Sequence, residues 1–150
     1  MSDFKTFHKK WRSAFRDDQQ IQVQAIKSVS DEAVNLNKEQ LLSSTKADGE
    51  SFKDYSGETL AIKQEKSRFI SSTGRLALKD TGDFHSEMFA RPQSFTDNTV
   101  GLFISSRDSK TGMLTATYGE DIFGLVVANK ETISDKATRK YILTYKKRIA

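Results

Sequence analysis

The stretch that decides the fold class is residues 94–118, which read SFTDNTVGLFISSRDSKTGMLTATY. Short runs of β-branched and aromatic residues, which are typical of strands, occur at 94–96, 101–105 and 113–118. The segments between them are rich in Asp, Asn, Ser and Gly, which favour turns. The stretch therefore predicts an antiparallel β-meander of three short strands, within a β-rich part that covers residues 90–125.

The N-terminal part has a helical period instead. Phe4, Phe7, Trp11 and Phe15 recur at spacings of three and four, which places them in one stripe along a helix. A second apolar pattern follows, and together they predict a helical part over residues 1–46, as one helix or as two. Such a stripe most often faces the protein's own core, although its density also suits binding in the groove of a partner.

The C-terminal part is helical as well. Its apolar side chains follow one another at intervals of four, at Ile133, Ala137, Tyr141 and Tyr145. With Asn129 as N-cap, this pattern predicts a helix over residues 129–148. Helices at both ends around a small antiparallel sheet define an α+β fold. We expect the 150 residues to form a single domain.

Two shorter helices are expected in the middle of the chain. Ser56 or Thr59 can serve as N-cap of the first. Thr81 is a candidate N-cap for the second, which would carry Phe84, Met88 and Phe89 on one face.

The composition excludes several classes of protein. Apolar residues make up 36% of the chain and charged residues 29%, which predicts a small core or burial that is completed in an assembly. The absence of cysteine excludes disulfides, thiol catalysis and thiolate metal sites. The apolar runs, such as residues 125–128, are far shorter than the roughly 20 residues of a membrane span, so we expect no membrane partner.

The net charge of +4 is unevenly distributed. Residues 1–16 contain five basic residues and one acidic residue, residues 136–150 contain six basic residues and none acidic, and the part between them contains 13 basic and 19 acidic residues. Basic ends of this kind attract a nucleic acid backbone or the acidic body of a neighbouring copy. Basic residues also favour the last turn of a helix without any partner.

Few residues in the sequence point to catalysis. It lacks the Gly-Lys-Ser/Thr loop of nucleotide-binding proteins and the His-Glu-x-x-His zinc motif. The densest titratable cluster surrounds His85 and contains Asp80, Asp83 and Glu87. An enzyme would use His85 as a general base, but acidic residues are favoured at a helix start by the helix dipole alone. We expect no enzyme, and no catalytic, cofactor-binding or metal-binding residue.

The basic C-terminal residues favour an alternative function, a non-specific nucleic-acid-binding module. Candidate contacts to a neighbouring protein or to DNA are Arg139, Lys140, Lys146, Lys147 and Arg148. Cations beside aromatic rings can bind phosphates and stack on bases. Tyr141 and Tyr145 are spaced by four residues, however, and we expect them to face the core.

Several short motifs follow one another in a recognisable order. They are LNKEQL at 36–41, DGESF at 48–52, LKDTGDF at 78–84 and YGEDIFGL at 118–125. In this order they resemble the virion-morphogenesis proteins of tailed phages, the tail-completion or neck class of head–tail connector, in the type found in Bacteroidetes phages. The family motif within the resemblance is Asp80, Thr81, Gly82, Asp83 and Phe84, and its implied role is structural.

The resemblance implies a non-enzymatic structural protein of the virion. Such a protein would be assembled in the host cytoplasm and located at the head–tail junction, in a neck or tail-completion role. Proteins of this class act as oligomeric rings. The implied partners are therefore other copies of the chain and the portal, neck or tail proteins, with packaged DNA as a further contact of the basic C-terminal residues.

Overall fold

Helices occupy both ends of the described chain. The computed structural model describes residues 4–97 and 99–150. Its elements are, in chain order, α1 (Phe4–Arg16), α2 (Asp18–Leu42), α3 (Gly57–Glu65), α4 (Asp83–Ser86), β1 (Met88–Ser94), β2 (Val100–Ser106), α5 (Thr111–Tyr118), a 3₁₀ turn (Glu120–Ile122) and α6 (Val127–Ile149). The predicted α+β fold class is confirmed, with a two-stranded antiparallel sheet between the terminal helices.

The long helices α2 and α6 pack against each other in antiparallel orientation. Lys136 of α6 pairs with Glu32 of α2, and Tyr141 donates a hydrogen bond to Asp18 at the start of α2. Ile133 and Ala137 of α6 are buried, as their four-residue spacing predicts. No helix in the described ranges has both the length and the apolar composition needed to cross a bilayer.

The hairpin of β1 and β2 packs on α2. Its register runs from Met88 opposite Ser106 to Ser94 opposite Val100. Because alternate residues of a strand share one face, Val100 and Ile104 lie on the same side of the sheet. Ile104 is buried in the core there.

One hydrophobic cluster joins α2, both strands, the 3₁₀ turn and α6. Leu41 and Ile122 are fully buried in it. Phe52 extends the cluster towards α5, where its ring meets that of Tyr118 edge-on at 5.7 Å between centroids. The core therefore contains residues from most of the elements.

The prediction of a third strand in the meander is wrong, because residues 113–118 belong to helix α5. Asp108 accepts a hydrogen bond from the backbone N–H of Lys110 at 2.9 Å and helps to turn the chain after β2. Inside α5, the hydroxyl of Thr115 donates to the carbonyl of Thr111 at 2.9 Å. Threonine hydroxyls bonded to the preceding turn fit a helix, so a threonine-rich run does not by itself require a strand.

The prediction that Phe84, Met88 and Phe89 share one helix face is also wrong. Helix α4 has four residues, and Met88 and Phe89 belong to β1, which begins six residues before the predicted start at 94. The N-cap of α4 is Gly82 rather than Thr81. Gly82 has φ of +95°, a left-handed conformation that glycine adopts without steric cost.

Helix α6 begins at Val127, two residues before the predicted start. Asn129 does not cap it, because its side-chain amide donates instead to Gln40 of α2 at 2.8 Å. The N-terminal helical part also differs in length, since α2 ends at Leu42 rather than at 46.

Ser56 caps α3, as predicted, by accepting a hydrogen bond from the N–H of Thr59 at 3.1 Å. The N-terminal part consists of two helices rather than one, divided at Asp17. Backbone hydrogen bonds from Asp17 to Ser13 and from Ile21 to Asp17, both 3.1 Å, bridge the break.

Candidate interaction surface

The aromatic stripe of α1 (Phe4, Phe7, Trp11 and Phe15) lies on the surface of the protein. Phe4 is 78% exposed and Phe15 is 68% exposed, while Phe7 and Trp11 are 44% and 43% exposed. The buried residue of this helix is Ala14. The prediction that the stripe faces the protein's own core is therefore wrong, and a partner's groove stays a prediction.

The exposure follows from how α1 is attached. The ammonium of Lys10 donates to the carbonyl of Ala150 at 2.7 Å, and Arg148 donates to Asp17 at 2.7 Å. The last residues of α6 therefore meet the second half of α1. Every residue from 4 to 12 is exposed, so the rest of the described fold leaves the first turns of α1 uncovered.

The cations of α1 lie beside the stripe rather than within it. Lys5, Lys9, Arg12 and Arg16 line one shallow basic surface together with His8 and Ser13. No acidic residue occurs in α1. The ring of Trp11 stacks on that of Phe15 at 5.9 Å between centroids, so the helix presents an aromatic face and a basic face side by side.

The predicted basic contacts of α6 lie next to this helix. Arg139, Lys140, Lys146 and Lys147 are exposed, whereas Arg148 is half-buried in its ion pair with Asp17. The structure thus brings the two basic ends of the chain together. Tyr141 and Tyr145 are half-buried, and the hydrogen bond with Asp18 raises the pKa of Tyr141 to about 12.

The Asp80–Phe84 motif forms a turn anchored to the core. The Lys63 ammonium, which is buried, donates to Asp80 at 3.0 Å and to the carbonyls of Phe69 and Lys79. That hydrogen bond holds the pKa of Asp80 below its usual value. Phe84 is buried, with its ring 5.7 Å from that of Phe123.

The remaining two residues of the motif complete the turn. The hydroxyl of Thr81 donates to Asp83 at 2.9 Å, and Gly82 supplies the positive φ that starts α4. The structure therefore brings the five predicted motif residues together in a local turn. Lys63 is also one of the residues on which the family resemblance depends, but sequence reasoning missed its pairing with Asp80, because no local pattern shows that a lysine 17 residues away reaches that carboxylate.

His85 is buried under the same turn. Its Nε2 lies 2.9 Å from the carbonyl of Ala77. Burial lowers its pKa, which favours the neutral imidazole. Two of the three acids near it in sequence have other partners, since Asp80 pairs with Lys63 and Asp83 with Thr81.

An apolar groove of about 480 Å³ opens between α2, β2 and α6. Its walls include Ile26, Val100, Leu102, Phe123, Ile133 and Thr138. Sequence reasoning missed this groove. The only signal in the sequence was the alternation of Val100, Leu102 and Ile104, which places them on one face of β2. That alternation does not show how much of the face the neighbouring helices cover.

Two buried amides of α2 clamp the segment 122–126 beside the groove. Asn37 is 1% exposed, and its side chain accepts from the N–H of Gly124 at 2.9 Å and donates to the carbonyl of Ile122 at 3.2 Å. Gln40 accepts from the N–H of Val126 at 2.9 Å. Two of the motifs quoted above, at 36–41 and 118–125, are thus joined directly by hydrogen bonds.

Within residues 4–97 and 99–150, no group of three or more His, Asp or Glu side chains is arranged to hold a metal ion. Comparison with known proteins returned no matching family model, no matching curated protein and no matching solved structure. The functional proposal therefore depends on the surfaces described above and on the motif resemblance.

Proposed function

We propose that this chain is a non-enzymatic assembly protein that binds a neighbouring protein chain through α1. The observation that carries the proposal is the exposed aromatic stripe of α1, whose first turns the rest of the described fold leaves uncovered. Isolated apolar residues on a surface need no explanation, but contiguous apolar patches mark interaction sites. Amphipathic helices that bind in grooves use apolar side chains at this spacing.

The free energy available from such binding is considerable. Full burial of one phenylalanine side chain stabilises by about 1.5–3 kcal/mol. The stripe has four aromatic residues, all at least two-fifths exposed. Aromatic residues also dominate the energetics of protein interfaces.

We further propose that the assembly is the neck of a tailed-phage virion, at the head–tail junction, with a neck or tail-completion role. This part of the proposal depends on the motif resemblance. One feature of the fold supports a structural role for the motifs. The Asp80–Phe84 turn and the 118–125 segment meet in one core through Phe84 and Phe123.

Multi-angle light scattering of the full chain tests the assembly function. The wild type should form oligomers, and the double variant Phe7→Ser with Trp11→Ser should be monomeric with an unchanged circular dichroism spectrum. The matched control is Lys5→Ser with Lys9→Ser, which changes the same helix outside the stripe and should still assemble, weakened only in a manner that depends on salt. A wild type that stays monomeric at every concentration contradicts self-assembly.

Mass spectrometry of purified phage particles tests the location. We expect the protein in intact particles, at a fixed ratio to the portal protein. Its absence from particles and a monomeric state throughout infection would exclude the neck role.

A second function, non-specific binding of nucleic acid, is favoured by the meeting of the two basic ends. Exposed cations of α1 and α6 lie at one end of the molecule. Reversing the charge of Lys146 and Lys147, which are exposed and outside the Arg148–Asp17 pair, separates the functions. Loss of DNA binding by a monomer while assembly stays intact would favour the nucleic-acid function, whereas a wild type that assembles and binds no DNA would favour the proposal above.

A further inference from the structure

We propose that the aromatic stripe of one copy binds in the α2–β2–α6 groove of a second copy. This inference rests on the proposed assembly function and names the receiving surface. Each copy would offer one helix and one groove, so the contact is heterologous. Such contacts close into rings or continue as filaments.

The first support is the apolar character of the groove. Ile26, Val100, Leu102 and Phe123 line it and are only half-buried, so part of each side chain is left in water. The groove continues along the α2–α6 contact towards Gln22 and Tyr141. An aromatic stripe placed there would complete the burial of both surfaces.

The second support is the match in length. Phe4 and Phe15 are separated by 11 residues, as are Lys130 and Tyr141, which bound the groove along α6. At 1.5 Å per residue, each of these helical stretches is about 16 Å long. The stripe and the groove can therefore be in contact along their whole lengths.

The third support is charge. Helix α1 has five basic residues and no acidic one. Glu131 and Asp135 are exposed on α6, one turn before the groove residues Ser134 and Thr138, and residues three apart on a helix are neighbours. Lys130, at one end of the groove, would repel the cations of α1. We therefore expect the basic face of α1 to meet the acidic side chains at the other end of the groove, near Thr138.

A copy does not fill its own groove in this structure. The contacts from Lys10 to Ala150 and from Arg148 to Asp17 hold α1 at the far end of α6. The groove lies between residues 130 and 141 of α6. A second copy of α1 therefore has a free site to enter.

The test is a mixing experiment with two variants of the full chain. The helix variant is Phe7→Ser with Trp11→Ser, and the groove variant is Ser134→Arg with Thr138→Arg. All four positions are exposed, so both variants should fold, which circular dichroism checks. Each alone should be monomeric, with self-association weakened at least tenfold. Mixed in equal amounts, they should form dimers and nothing larger, because one intact helix meets one intact groove.

The matched control is Ala128→Arg with Thr132→Arg, which adds the same charge to exposed positions outside the groove and should assemble far better than the groove variant. A milder variant, Glu131→Lys with Asp135→Lys, should weaken assembly in a manner that depends on salt. Two results overturn the inference. If the groove variant assembles while the helix variant does not, the proposed function stands and the groove is not the receiving site. If the mixture stays monomeric, the helix and groove do not complement each other.

Discussion

Helix α1 exposes its large apolar side chains, whereas the segment 119–126 buries two of its own. The segment buries Ile122 and Leu125, and α2 clamps its backbone through buried amides. Helix α1 has four aromatic residues and leaves at least two-fifths of each exposed to water. The helix has the stronger amphipathic pattern, yet the segment belongs to the core. An apolar pattern shows that a face is built for burial, and the rest of the fold decides which molecule buries it.

The largest expected effect separates the two regions by stability. Ile122→Ala removes a fully buried side chain and should lower the free energy of unfolding by about 2–5 kcal/mol. Phe4→Ala removes a larger side chain from α1 and should change it by less than about 0.5 kcal/mol. Urea titration followed by far-ultraviolet circular dichroism measures both, at a dilution where the chain is monomeric. An equal loss of unfolding free energy in the two variants would mean that α1 is part of the core.

The buried amides are the next test of the comparison. Asn37→Ala leaves the N–H of Gly124 and the carbonyl of Ile122 without their partner and should cost about 1–3 kcal/mol. Asn35→Ala, at an exposed position of the same helix, should be neutral or slightly stabilising, since alanine favours a helix. The same denaturation measurement applies. A neutral Asn37→Ala would show that packing alone holds the segment.

The backbone of the Asp80–Phe84 turn should give a smaller effect. Gly82 has φ of +95°, and an added Cβ there would meet Lys79 only at 3.8 Å, so the cost of Gly82→Ala is conformational. A left-handed alanine costs about 1–2 kcal/mol. Gly57→Ala is the control, at a helical position with open space, and should not destabilise. Similar stabilities for the two variants would remove the conformational explanation.

Sequence reasoning predicted what depends on local periodicity and missed what depends on distant residues. The four-residue spacing of Ile133 and Ala137 gave the buried face of α6, because a helix imposes that spacing wherever it packs. Residues 113–118 were misassigned, because their threonines satisfy a helix once the hydroxyls bond to the preceding turn. Fold class depends on such local patterns, and it was predictable.

The candidate surface was predictable only in part. The aromatic stripe is visible in the sequence, but its exposure depends on where α6 ends relative to Lys10. The groove forms from three elements that are distant in sequence. The ion pair of Lys63 with Asp80 likewise joins two residues that are 17 positions apart. No local pattern contains the relative placement of such elements.

The smallest expected effect concerns the joint that holds α1 in place. Arg148 pairs with Asp17 at 2.7 Å, with side chains 34% and 29% exposed. Because water screens such a pair, Arg148→Ala should lower global stability by only about 0.2–1 kcal/mol. Its effect on α1 should be larger than on the core, since local opening depends on few contacts. We expect faster amide hydrogen exchange in α1 and unchanged exchange in α2 near Leu41. Lys147→Ala, at the exposed neighbouring position, should alter neither. Unchanged exchange in α1 of the Arg148 variant would mean that Ala14 and the contact from Lys10 to Ala150 suffice to hold the helix.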